Sequence, residues 1–69
     1  MNVIKQLERT VKSINAHLSR GGTMQSKRGY ELLDRYNDLR QIAHGQNVWA
    51  GYCEAHQYDI SHDGYDFFA

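Results

Sequence analysis

Proline is absent from this chain, cysteine occurs once, and no lysine or arginine follows Arg40. Without proline, only glycine and local capping interrupt a helical pattern. The single cysteine, Cys53, excludes an internal disulfide and with it the scaffolds on which small secreted domains rely. No apolar run approaches the roughly 20 residues of a membrane span, so no membrane partner is expected. The opening segment MNVIKQLERTVKSINAHL carries Lys5, Glu8, Arg9 and Lys12, where a secretory signal needs an uninterrupted apolar stretch. A reduced, cytoplasmic compartment is therefore the expectation.

At 69 residues the chain is expected to form one small domain, 1–69, burying only about 60% of its unfolded surface. Chains this small usually add a disulfide, a metal or a second subunit to a thin core. The formal charge of zero conceals an asymmetry. Residues 1–45 hold eight basic and four acidic side chains, whereas 46–69 hold Glu54, Asp59, Asp63 and Asp66 with no base. The chain is a charge dipole in sequence.

The apolar spacing indicates an all-α protein. Ile4, Leu7, Val11, Ile14 and Leu18 repeat at 3, 4, 3, 4, which predicts a helix over about 3–19 with Asn2 as N-cap and Gly21-Gly22 as terminator. A second helix over about 26–44, capped by Thr23 or Ser26, places Leu32, Leu33, Tyr36, Leu39, Ile42 and Ala43 on one face and Asp34 and Asp38 opposite, with Gly45 as the stop. The two form an antiparallel hairpin. A short third helix or irregular segment over about 47–57, with Asn47 as its cap, sets Val48, Tyr52 and Ala55 on one face with Trp49 at its margin, while Gly51 weakens it by about 1 kcal/mol relative to alanine. An acidic, aromatic tail, 58–69, is expected to be extended or ordered by contact. Seam residues Ile4, Leu7, Val11, Ile14, Leu18, Leu32, Tyr36 and Leu39 suit a homodimeric helical bundle, the alternative being a monomer whose later aromatics fold back to complete a three-helix core.

Chemistry-bearing patterns are sparse, and no enzyme is expected. Cys53, His56 and His62 follow C-x2-H-x5-H, but structural zinc sites usually supply two or more cysteines. A half-buried thiol beside a surface histidine is the simpler reading, with no metal or cofactor. Asp34 and Asp38 lie on the solvent face with nothing to raise a pKa. Gly21-Gly22-Thr23 lacks the strand and lysine of a phosphate-binding loop.

Two surfaces remain. Trp49, Tyr52, Asp59, Asp63, Tyr65, Asp66, Phe67 and Phe68 set carboxylates beside large apolar anchors, the chemistry by which an acidic peptide docks on a basic, apolar partner surface. The ending is similar to the acidic, phenylalanine-bearing tips of bacterial single-stranded-DNA-binding proteins, except that Ala69 follows the phenylalanines. Lys5, Arg9 and Lys12 form a stripe on the first helix, and Arg20, Lys27 and Arg28 cluster at the hairpin loop, a surface able to track nucleic-acid phosphates. The sequence thus favours a small protein–protein interaction protein, an inhibitor or regulator of the size that phages and mobile elements use against host machinery. A nucleic-acid-binding module is the alternative.

Overall fold

A computed structural model describes residues 2–63 and 67. It contains α1 (Val3–Ser19), α2 (Lys27–Gly45) and α3 (Trp49–Ala55). The described residues form no strand, as the helical spacing predicts. Helices α1 and α2 pack side by side over most of their length, and α3 packs against α2. The antiparallel arrangement shows at both ends: His17 reaches Thr23 and Ser26 across the hairpin loop, while Val3 and Ile4 share a surface depression with Gln46 and Val48.

Each helix starts or stops for an identifiable reason. The Asn2 side chain accepts the Lys5 N–H, and the Ser26 hydroxyl accepts the Gly29 N–H, at 3.2 and 3.1 Å. These caps satisfy N–H groups that have no partner within the helix. All three helices end in the same double hydrogen bond with a left-handed residue after the cap. At α1, Gly22 N–H donates to His17 O and Gly21 N–H to Leu18 O, with Gly21 at φ +85°. At α2, Val48 N–H donates to Ala43 O and Asn47 N–H to His44 O; at α3, Tyr58 N–H donates to Cys53 O and Gln57 N–H to Glu54 O. Asn47 and Gln57 have φ of 59° and 60°. Two expectations change here. Gly45 is the last helical residue of α2 and the stop falls at Asn47, while α3 begins after Val48 with no side-chain cap, so Asn47 ends α2 rather than opening α3.

The core differs from the predicted seam by a rotation of α1. Val3, Leu7, Thr10 and Ile14 are its buried positions; Ile4 and Val11 pack at the core's edge, and Leu18 is 36% exposed. Leu7 and Ile14 belong to both patterns. The rotation places Thr10 inside, where its hydroxyl donates to Gln6 O at 2.8 Å and so carries no unpaired donor into the core. On α2, Leu32, Leu33, Tyr36, Leu39 and Ala43 are buried as expected, whereas Ile42 is 38% exposed. From α3, Trp49, Tyr52 and Cys53 are buried, and Ala55, which the spacing sets on the face of Tyr52, is exposed. Met24, in the loop, is also buried.

Loop and helix backbones meet closely at Gly29. A Cβ there would lie 2.4 Å from Thr23 O and 2.5 Å from Met24 Cα, both backbone atoms that cannot swing aside. Gly29→Ala is therefore expected to destabilise the protein by about 2–3 kcal/mol through overpacking, read as a lowered midpoint of thermal unfolding. The opposite sign is expected at Gln57, whose left-handed backbone favours glycine. Gln57→Gly should stabilise by up to about 1 kcal/mol, and an unchanged or lowered midpoint would contradict the helix ending described.

Candidate functional site

The second half of the molecule is organised around buried polar aromatics. Tyr36 has no exposed surface and Trp49 and Tyr52 are 2% exposed, so their polar atoms need partners inside the protein. The Trp49 indole N–H donates to Ile60 O at 2.9 Å, and the Tyr36 hydroxyl meets His62 Nε2 at 3.0 Å. Arg40 Nε donates to His62 O at 3.0 Å, and the Arg40 guanidinium lies 5.2 Å from the centre of the Trp49 ring. The His62 imidazole stacks on Tyr58 at 4.2 Å between ring centres, and Phe67 stands edge-on to Tyr36 at 5.4 Å. Residues 58–63 are thereby strapped over α2 and α3. Every buried side-chain nitrogen and oxygen among the described residues has a hydrogen-bond partner.

This arrangement reassigns several residues. Trp49 and Tyr52, expected as anchors for a partner, are core residues, because two helices leave Tyr36 uncovered and their rings cover it. Phe67 is half-buried on the same cluster. Asp59 is exposed and accepts both the backbone N–H and the hydroxyl of Ser61, which hold its carboxyl below the usual range. Asp63 is half-buried at the end of the strap. Tyr65, Asp66 and Phe68 lie outside the described residues. Cys53, His56 and His62 do not converge as ligands: Cys53 is buried, His56 stands near Glu8 at one side of the Tyr58 ring, and His62 stacks on that ring inside the aromatic cluster. Cys53 was expected to be half-buried; at 2% exposure it is fully enclosed, and desolvation raises its thiol pKa. Among the described residues no three His, Cys, Asp or Glu side chains converge on a possible metal position.

The surface feature of interest lies on the other side of α3. Both α1 and α3 rest on α2, but they have little direct packing with each other, and an open groove of about 470 Å³ runs between them. Val11 and the edge of Tyr52 supply its floor, Lys5, Arg9 and Lys12 its rim. A second depression of about 420 Å³ continues it through Glu8, Tyr52 and His56 to Ile4, Val48 and Ala55. Glu8 Oε2 lies 3.3 Å from His56 Nε2 across the groove. The α-helical rise of 1.5 Å per residue puts Lys5 and Lys12 about 10 Å apart along α1. Of the six basic residues singled out by the sequence, these three come together. Arg20, Lys27 and Arg28 are exposed around the hairpin loop, where Arg28 pairs with Glu31 at 3.4 Å.

The basic stripe was legible in the sequence, but its apolar floor was not. The spacing alone puts Ile4 and Val11 in the helix-packing seam, and only the rotation of α1 turns them toward the groove. Arg40 and Tyr36 were missed as organisers of the strap. A lone arginine facing an apolar stretch gives no local signal of the carbonyl it will reach 22 residues later.

Comparison with protein-family models, curated proteins and solved structures gives no match to this chain. Among the described residues the chain is all-α with three helices, none of them long and apolar enough to cross a membrane.

The buried hydroxyls set a pH dependence. Burial, and next the hydrogen bond with Tyr52, pushes the Tyr36 pKa far above its ordinary 10.0, and burial raises that of Tyr52. Because the folded state holds these protons more tightly than the unfolded chain, their contribution is fully present below the unfolded value of 10.0 and is lost as pH rises above it. In an alkaline titration, phenolate absorbance should show a cooperative step coincident with loss of helical circular dichroism. Ionisation of all five tyrosines with the helices intact would refute the burial argument.

Proposed function

We propose that this chain is a non-enzymatic interaction protein, an inhibitor or regulator, that holds a segment of another protein in the groove between α1 and α3. The observation that carries this reading is the combination of an apolar floor with a mainly basic rim: Val11 beneath Lys5, Arg9 and Lys12, with the single carboxylate Glu8 among them and Ile4 in the adjoining depression. Apolar contact supplies affinity in such a groove, and the charged rim supplies on-rate and selectivity. Docking through the acidic, aromatic end has less support, because Trp49 and Tyr52 are internal. Among the described residues that surface offers exposed Asp59 and half-buried Asp63 and Phe67, with Ile60, 62% exposed, beside Asp59. Action against host machinery by a phage or mobile-element protein fits the economy of size, an analogy of scale.

Nucleic-acid binding is a second reading, favoured by the exposure of Lys5, Arg9, Lys12, Arg20, Lys27 and Arg28 along α1 and around the loop. Steep loss of DNA or RNA affinity with added salt would support it over the protein groove.

A photo-crosslinking residue placed at Val11 should capture a partner protein in an extract of the source cells, while the same residue at Asp34, exposed on α2, should not. Reversing the rim with Arg9→Glu and Lys12→Glu should reduce the Val11 adduct by about tenfold or more. Equal capture at both positions would count against the groove.

A further inference from the structure

We infer that the occupant of the groove is an acidic amphipathic helix of the partner, with carboxylates on one edge spaced to meet Lys5, Arg9 and Lys12 and aliphatic side chains seated on Val11 and Ile4. This inference rests on the groove reading and adds the chemistry of what fills it. The first argument is shape. Helices α1 and α3 both pack on α2 with little direct packing between them, and a further helix laid over the groove, above the Glu8–His56 pair, would add a fourth helix to the three. The second is charge spacing. The rim cations fall at intervals of four and three residues on α1 and span about 10 Å, so a facing helix can match them with carboxylates at i, i+3 or i+4, and i+7 over about two turns.

The third argument is the balance of charge within the groove. Three cations stand against one carboxylate, Glu8, which already has His56 at 3.3 Å. Glu8 is thus the one rim group that opposes an acidic ligand. A nucleic acid fits less well, because Tyr52, the aromatic at this floor, is only 2% exposed and offers little stacking face. A second copy seated by two-fold symmetry fits less well again, since it would set Lys5, Arg9 and Lys12 against their own counterparts.

The test uses the full chain and two synthetic helical peptides of about 15 residues, long enough to exceed the span of the rim. One carries glutamates on the edge of a leucine face; the other has lysine at each glutamate position. Isothermal titration should show the glutamate peptide binding at least about tenfold more tightly than the lysine peptide, with the preference shrinking as salt rises. Glu8→Gln should tighten the glutamate peptide a few-fold, and Arg9→Glu with Lys12→Glu should invert the preference while leaving the helical circular dichroism unchanged. Asp34→Lys, outside the groove, should change nothing.

Equal affinity for the two peptides, or a preference that survives charge reversal, overturns the inference. So does an oligonucleotide that displaces the glutamate peptide at lower concentration than the free peptide does. Concentration-dependent self-association abolished by the Arg9 and Lys12 reversals would also overturn it in favour of a second copy. If the peptides fail while the rim-dependent Val11 cross-link persists, the groove stands and only the acidic helix falls. Loss of the cross-link as well would remove both.

Discussion

The Tyr36 hydroxyl is the atom on which the second half of this protein depends. It sits on the core face of α2 with no exposed surface, and a buried hydroxyl without a partner would be strongly unfavourable. No group on α1 is seen to meet it. Its partners come from later in the chain, His62 by direct hydrogen bond and Tyr52 through the coupling of the two hydroxyls. Meeting that requirement brings α3 onto α2 and the strap over both. Once His62 is in place, Tyr58 stacks on it, Arg40 holds its carbonyl, and Trp49 finds an acceptor at Ile60. The Tyr36 hydroxyl thus stands at the centre of a cluster whose other polar atoms, the Trp49 indole N–H and the Arg40 guanidinium among them, are paired as well.

The three helix endings decide where these elements can go. Each reverses the chain immediately after the last turn, so the next large side chain returns to the core that the helix has just left. Val48 follows Asn47 in this way and Tyr58 follows Gln57, both packed at the core's margin. Glycine serves at the hairpin loop, where Gly22 also lies against the His17 ring. Asparagine and glutamine do the same elsewhere with some backbone strain.

The groove follows from the brevity of α3. At seven residues it is about 10 Å long, and it is held to α2 by the aromatic cluster rather than to α1. It therefore covers part of α1 and leaves the stripe from Lys5 to Lys12 at the edge of exposed apolar surface. The same rings that fill the core on one side of α3 set the groove's wall on the other, linking the packing of Tyr52 to the shape of the binding surface. The charge asymmetry of the chain acquires a spatial meaning only in part. Arg40, the last base in the sequence, crosses to the acidic segment through the His62 carbonyl and the Trp49 ring, while the α1 cations face outward.

The periodicity of α1 and α2, their caps and the Gly21 ending follow from the sequence alone, because spacing and local hydrogen bonding are properties of neighbouring residues. So does the basic stripe, since Lys5, Arg9 and Lys12 share a side of any helix that contains them. Which of two adjacent stripes on α1 is buried was not determined locally. Val3 and Thr10 compete with Ile4, Val11 and Leu18, and the choice depends on how α2 and α3 are placed around the helix. The fate of Trp49, Tyr52 and His62 was equally a tertiary matter. An aromatic or imidazole ring is suited both to a partner's surface and to a core, and it is the apolar area they bury against Tyr36, together with acceptors and donors met far along the chain at Ile60 and His62, that sets them inside.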